Sequence, residues 1–365
     1  MTLAPMRSGD GRRGALALLS FAALVACAFG GGGLTGGGGG DGGGSSAPYA
    51  HHSGLIIPAG YPNPDTTGWA ALGIAEASLV ASNQTYYGAD DSGTSGHPRV
   101  YSGLKVRGHD IRLQTGAHDI TFRGCDFSNR GDWAVYLEAG VSNIRFEYCT
   151  FHGEDHADDR EIDTAASTRL QNGIWSFGDN GPWTVDHGLF YWVADGIYTN
   201  GNDVAVTESC FHDFTYWSGD WFAPNGDHTN ALGPEGGTST RHLYQHNSLV
   251  MIRWNGEVFD QTSCINLAQD DPTAYADITI DDNFLVGNQG GHFIAGYEPG
   301  KGGAPGQRVR ITNNRHSAFG TSSPPRAAYA SQPTWNAAPA NNVWTGNTWW
   351  KADGSYGGEV EPVTP

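Results

Sequence analysis

Apolar and polar positions in this chain recur as an eight-residue phrase, apolar at its first, third and eighth positions and small or amide at its sixth. Ile120–Phe127 (ITFRGCDF), Ile144–Phe151 (IRFEYCTF), Trp183–Phe190 (WTVDHGLF) and Val204–Phe211 (VAVTESCF) state it, and looser copies begin at His242, Ile278, Val309 and Asn342. The sixth position runs Cys125, Cys149, Gly188, Ser209, Asn247, Asn283, Asn314, Asn347. Alternation inside each phrase predicts a strand with its first and third side chains inward. Phe122, Phe146, Val185, Val206, Ile280 and Ile311 are therefore expected to stack in one core. A second short apolar strand follows each phrase, centred on Val135, Ile174, Ile197, Ala231, Ile265 and Ile294.

One supersecondary unit repeated in this way stacks on itself as a solenoid. An antiparallel β-sandwich would not require the same residue type at the same position of every repeat. The expected fold is thus all-β, a parallel β-helix wound from a single strand, with about eight coils. Phrase starts lie 24, 39, 21, 38, 36, 31 and 33 residues apart. The shortest spacings approximate a bare coil and the longer ones carry insertions. Neighbouring coils pair at about 4.8 Å, so the four asparagines should form an amide ladder at the turn. The gaps from Phe151 to Ile174, Phe211 to Ala231 and Leu249 to Ile265 are long, whereas that from Phe190 to Ile197 is short. Insertions at one register emerge at one corner. Coils two, four and five should then wall a cleft whose floor is coil three.

Around this solenoid the chain divides into residues 1–26, 27–48, 49–104, 105–320 and 321–365. The first is a signal segment: Arg7, Arg12 and Arg13 precede an apolar run, and Leu24-Val-Ala-Cys27 follows a bacterial lipobox, predicting a lipid on Cys27; an ordinary secretory signal is the alternative. The second is nearly all Gly and reads as a flexible tether. Residues 49–104 supply an N-terminal cap and first coil, since an uncovered end would expose strand edges. Residues 321–365 form an irregular segment, a last strand and a tail. A cell-surface lipoprotein or secreted monomer is expected, meeting the membrane only through its lipid.

Charge narrows the partners. The chain carries −18, and loss of residues 1–26 leaves it near −20. Such a surface repels nucleic acid. Cys125 and Cys149 share a register in adjacent coils, within disulfide range in an oxidising compartment, or stand as stacked free thiols. Cys210 and Cys264 have no evident partner.

Candidate chemistry gathers at the expected cleft. The fourth coil's insertion is rich in aromatics, among them Trp217 and Trp221, and Tyr198 lies on the floor. Flat aromatic faces suit sugar rings, although such a loop can also fold over a small core of its own. Asp227, His228 and Asn230 form the densest polar cluster, and Asp195 lies about one coil away. A His beside a carboxylate can act as general acid or base. Two carboxylates at that spacing suit a hydrolase pair or a shared Ca²⁺, while the same residue types also end turns. Gly153–Asp163 holds six carboxylates without the spacing of an EF-hand and reads first as a solvated acidic loop.

Tyr61-Pro-Asn-Pro-Asp-Thr-Thr-Gly68, the coil phrases, Asp227-His-Thr-Asn-Ala-Leu-Gly-Pro-Glu-Gly-Gly237 and Asn342-Val-Trp-Thr-Gly-Asn-Thr-Trp349 carry a resemblance over about residues 55–355. The chain resembles the right-handed parallel β-helix repeat proteins of the pectin-lyase-like superfamily, most of all uncharacterised secreted actinobacterial members. That resemblance implies work on extracellular polysaccharide, as a lyase or glycoside hydrolase. Trp183-Thr-Val-Asp-His187 followed by Asp195-Gly-Ile is similar to the calcium-binding stretch of pectate lyases, which makes Asp186 and Asp195 candidate ligands. Arg253 or Arg241 is the candidate for the base that removes the proton α to a uronate carboxylate, with a salt bridge to the acidic surface the favoured alternative for either. The Arg-Pro segment that supplies this base in pectate lyases is absent, and so are the ordered motifs of polygalacturonases. The expected catalytic set is Asp195, Asp227, His228 and Arg253; Tyr198, Trp217, Trp221 and Asn230 would bind substrate. A non-catalytic glycan-binding or adhesive surface protein is the alternative.

Overall fold

The computed structural model describes residues 48–153, 170–215, 229–234, 239–253, 256, 263–269, 275–287, 293–297, 307–317, 319, 341–351 and 356–360. They belong to one compact unit, Gly42–Pro365. Cys27 and the Gly-rich tether fall outside them, as does most of the acidic Gly153–Asp163 loop.

Each phrase folds as two strands with a turn between them. The first halves, such as His118–Arg123, Ser142–Glu147 and Trp183–Asp186, pair in parallel as a sheet of nine strands among the described residues. The second halves, such as Asp126–Asn129, Thr150–Gly153, Leu189–Tyr191 and Cys210–His212, build a second sheet of eleven. The separate apolar strands build a third sheet of eight, including Gly131–Leu137, Leu170–Ser176 and Val193–Thr199. Each strand pairs with its counterpart one repeat away, so the chain advances through the three sheets in turn, as a solenoid does.

Register follows the phrase. Phe122, Phe146, Val185, Val206, Tyr244, Ile280 and Ile311 align across the first sheet and are fully buried. The eighth position makes a ring stack, Phe127–Phe151–Phe190–Phe211, with centroids 5.2, 4.6 and 4.3 Å apart. Burying each such ring is worth about 1.5–3 kcal/mol. In the third sheet Val135, Ile174 and Ile197 align as expected. The next partners are Leu232 rather than Ala231, and Phe293 rather than Ile294 after Ile265. In Asn230–Gly233 both Ala231 and Leu232 are buried, so hydropathy alone cannot choose between neighbouring registers.

The fifth position explains the sixth. Gly124, Tyr148, His187, Glu208, His246, Asp282, Asn313 and Gly346 all have φ between 51° and 70°, so the chain turns there through a left-handed residue. For a non-glycine this costs about 1–2 kcal/mol. The sixth side chain offsets it from inside the turn. Ser209 N–H donates to Asn247 Oδ1 (2.9 Å), Asn247 N–H and Nδ2 to Asn283 Oδ1 (2.9 and 3.0 Å), and Asn283 to Asn314 and Asn314 to Asn347 in the same way. At Gly188 a Cβ would lie 2.5 Å from Val185 Cγ1 and 2.9 Å from Phe190, so no side chain fits there. Ser209 Oγ accepts the Gly188 N–H instead (2.9 Å). Cys125, Cys149, Cys210 and Cys264 are all buried and free, so the first two realise the stacked-thiol alternative. Burial pushes the Cys149 and Cys210 thiols up and keeps them protonated.

Residues 48–78 run along the second sheet. A hairpin, Tyr49–Ala50 with Ile56–Ile57, leads to Tyr61. Leu55, Ile57 and Tyr61 pack on Val250, Ile252, Phe284, Val286 and Trp350 as a second apolar cluster, separate from the core inside the coils. The Tyr61–Gly68 turn closes on Asn63, whose Oδ1 accepts from Asp65 N–H (2.9 Å) and whose carbonyl accepts from Thr66 N–H (3.0 Å). Gly68 then donates to His187 O (2.8 Å). At the other end Tyr356–Glu359 pairs antiparallel with Thr348–Trp350 and covers that edge of the second sheet.

Candidate functional site: an aromatic and polar face on the third sheet

The third-sheet strands carry a register row of large side chains one residue after the buried Val135–Ile174–Ile197 row. It reads Tyr86, Arg112, Tyr136, Trp175, Tyr198 and ends at Gly233. Successive steps of about 4.8 Å make the five side chains a strip about 19 Å long. Tyr86 is exposed, while Tyr136, Trp175 and Tyr198 are half-buried. Trp133 lies in the neighbouring row, stacked on Tyr136 (4.8 Å between centroids) and edge-on to Trp175 (4.9 Å). Trp175 is edge-on to Tyr198 (5.7 Å). The Trp175 indole N–H is buried and has no hydrogen-bond partner among the described residues.

One end of the strip is held electrostatically. The Arg112 guanidinium lies 5.4 Å from the Trp133 ring and 5.9 Å from the Tyr136 ring. Asp110 Oδ2 accepts from Arg112 Nε (2.6 Å) and from Trp133 Nε1 (2.8 Å). Burial alone would raise the Asp110 carboxyl, but these two donors outweigh it and hold it below the usual range. The ion pair thus fixes both the cation and the indole plane.

Beside the aromatic strip runs a polar row, Trp133–Asn172–Asp195. Asp195 Oδ1 accepts from Asn230 N–H (2.7 Å) and Nδ2 (3.4 Å). Asn172 Nδ2 donates to Asp132 O (3.0 Å). Three expected site residues, Asp195, Tyr198 and Asn230, therefore meet on one face. Asp227, His228, Trp217 and Trp221 lie outside the described residues; Asp227 and His228 precede Asn230 by three and two positions in the chain. The long insertions run from Gly153 to Leu170, Thr215 to Asn230 and Arg253 to Ser263, all joining the second sheet to the third.

Other expected residues stand elsewhere. Arg253 bridges Phe214 through its backbone at the corner between the second and third sheets. Asp186 ends a first-sheet strand, aligned with Glu147 and Thr207. It accepts from Thr207 Oγ1 (3.0 Å) and pairs with His187 (3.1 Å). Burial would raise its carboxyl, yet His187 and Thr207 together hold it lowered. Asp186 and Asp195 are thus on different sheets, each engaged by its own neighbours, and the structure does not assemble them as a shared calcium site. Arg241 is tied to Asp203 by two contacts (2.5 and 2.7 Å) at an exposed turn.

Arg112, Trp133, Tyr136, Asn172 and Trp175 were not singled out in the sequence. The signal was present: aligning Val135-Tyr136, Ile174-Trp175 and Ile197-Tyr198 as the octads were aligned places an aromatic at one register in three consecutive coils. No protein-family model, no curated protein and no solved structure matches this chain.

Proposed function

We propose that the chain is a right-handed parallel β-helix of about eight coils, exported and held at the cell surface, which binds extracellular polysaccharide along the third sheet. The observation that carries this reading is the continuous strip Arg112–Tyr136–Trp175–Tyr198, flanked by Trp133 and by the hydrogen-bonding Asn172 and Asp195. Aromatic faces stack on the apolar C–H faces of sugar rings while polar neighbours take the hydroxyls. Repetition at the coil spacing suits a polymer more than a small isolated ligand. Tyr136, Trp175 and Tyr198 sit on the strands following the first three octads and Arg112 on the strand before them, nearer the N-terminus than a cleft over coils three to five. The resemblance to pectin-lyase-like proteins points the same way.

Turnover is the second reading, and Asp195 favours it. Its carboxylate stands at the border of the aromatic strip, where the Asp227–His228 insertion rejoins the sheet. In this reading Asp195 and Asp227 with His228 supply acid and base, with lyase-type or hydrolase-type chemistry set by the glycan. The test incubates the full chain with a panel of uronate and neutral polysaccharides, with and without EDTA. Glycan retention weakened by Trp175→Ala is expected. Unsaturated product or new reducing ends, lost in Asp195→Asn, would identify an enzyme; retention without either would identify a binding protein. Failure to retain any polysaccharide would overturn the proposal.

A further inference from the structure

Apart from the sugar-facing strip, the N-terminal hairpin brings two histidines to a third-sheet-proximal corner of the second sheet. His51 and His52 occupy its tight turn, closed by His51 N–H to Leu55 O (2.8 Å) and Gly54 N–H to His51 O (2.9 Å), with Gly54 at φ 86°. Adjacent residues of a strand point to opposite faces. This turn instead aims both imidazoles at Asp213, which follows the strand Cys210–His212 and is itself left-handed at φ 50°. His52 Nε2 lies 2.6 Å and His51 Nε2 3.1 Å from the same oxygen, Asp213 Oδ1. The second oxygen, Oδ2, is held by His212 Nδ1 (2.9 Å).

We propose that His51, His52 and Asp213 form a binding site for a first-row divalent transition metal of the zinc type, which clasps the N-terminal hairpin to the solenoid. One ligand atom from each residue lies within 4.8 Å of the others, and the three form the one such group among the described residues. A second observation points to a ligand: His51 is 3% exposed, and its Nε2, though aimed at the carboxylate, makes no hydrogen bond of acceptable geometry. Two imidazole nitrogens converging on one carboxylate oxygen are poorly served by hydrogen bonds alone, and well served by a cation among them.

The supporting contacts suit metal ligation. The Ser53 N–H donates to His51 Nδ1 (3.3 Å), and Ser53 Oγ lies 2.8 Å from the same nitrogen. Metal binding at Nε2 calls for the other tautomer, in which Nδ1–H donates to Ser53 Oγ and the Nε2 lone pair faces the site. His212 orients the carboxylate from the opposite oxygen. The His52 side chain is 49% exposed, giving an ion a way in. Ligands of a tetrahedral zinc ion at about 2.0–2.1 Å stand roughly 3.3 Å apart, so seating the ion moves His52 outward by under about 1 Å. Two nitrogen donors with one oxygen disfavour calcium and magnesium, which take oxygen ligands.

The test titrates the full chain, freed of metal with EDTA and then of EDTA by gel filtration, with Zn²⁺ and separately with Ca²⁺ in a calorimeter. Wild-type protein should take up Zn²⁺ with micromolar or tighter affinity, undisturbed by millimolar Ca²⁺. His52→Gln and Asp213→Asn should each weaken that uptake by at least about tenfold to a hundredfold. Absence of zinc uptake by the wild type, displacement of zinc by calcium, or uptake unchanged in the variants would overturn the proposal. If Asp213→Asn does not fold, His52→Gln decides the question, because its half-exposed side chain can be replaced without opening the core.

Discussion

The second and third sheets differ in what lies on their outer faces. On the second, Val250, Ile252, Phe284 and Val286 are apolar and fully buried, because Leu55, Ile57 and Tyr61 of the N-terminal segment cover them. On the third, Tyr136, Trp175 and Tyr198 stay half-buried and Tyr86 exposed. Where this chain needs an outward apolar row for stability, it brings its own segment to cover it. The third sheet's rings are also set differently, bordered by Arg112, Asn172 and Asp195 rather than by further apolar side chains. The comparison teaches that outward apolar rows here are treated in two ways, one closed by the chain itself and one left open, which is the face proposed above for a glycan.

The largest effect that would break this comparison is on the covered side. Ile57→Ala removes a fully buried side chain from the arm-to-sheet cluster and should cost about 2–5 kcal/mol, read as a lowered urea midpoint. Glycan retention by the protein that remains folded should be unchanged. Lost retention at full occupancy of the folded state would mean that the two faces are coupled.

Next in size is an acid effect that sets the conditions for the comparison. His242 is wholly buried, and burial lowers its pKa from 6.5 to about 4. Its Nε2–H donates to Gly201 O (2.9 Å) and Nδ1 accepts from the Tyr244 hydroxyl (2.8 Å), and the second of these bonds requires the neutral ring. Between pH 6.5 and 4 the unfolded chain binds the proton that the folded chain refuses. Stability is therefore intact above 6.5, falls with pH through that window and loses about 3 kcal/mol by pH 4. A urea-midpoint series across this range, flattened in His242→Gln, is the check. Glycan binding on either face is best compared above pH 6.5.

How much of this was legible in the sequence differs by the same two faces. The octad announced itself because a distinct physical demand falls on each of its positions, with inward apolar groups at one and three, a left-handed turn at five, and an amide or small group at six. Asn247, Asn283, Asn314 and Asn347 could be read as a ladder since only a side chain with donor and acceptor together bonds its copy above and below. The third-sheet strands were found by hydropathy, but Ala231 and Ile294 were misaligned by one residue because apolar neighbours flank both. The outer row was hidden for a related reason: Tyr136, Trp175 and Tyr198 look like further core residues until register shows which side they occupy. The route of residues 48–78 along the flank was not legible, since the residues that receive it, such as Phe284 and Trp350, lie more than two hundred positions away. Nor was the convergence of His51 and His52 on Asp213.

On the open side the expected effect is smaller in energy but specific. Trp175→Ala removes the centre of the strip and, at about 0.5–1.5 kcal/mol for an aromatic contact, should weaken glycan retention by roughly threefold to tenfold in affinity electrophoresis. Because Trp175 is only half-buried, the urea midpoint should move by less than that of Ile57→Ala. A Trp175→Ala variant that loses stability like Ile57→Ala would show that the strip is ordinary core, and the distinction between the two faces would fall.

The smallest effect sharpens where the ligand ends. Tyr86 begins the strip, is 54% exposed and pairs in register with Arg112. Its strand, Tyr86–Tyr87, is only two residues long, and Gly233 closes the row at the other end. A polymer centred on Trp175 touches Tyr86 only through its last ring, where water competes and stacking is weakest. Tyr86→Ala should therefore weaken retention of a long polysaccharide by about twofold or less and leave short oligosaccharides unaffected, since losing part of a terminal contact is worth about 0.4 kcal/mol at most against the 0.5 kcal/mol or more of a full aromatic pair. An effect as large as that of Trp175→Ala would move the binding centre toward Arg112, where the fixed guanidinium would then select for an acidic sugar.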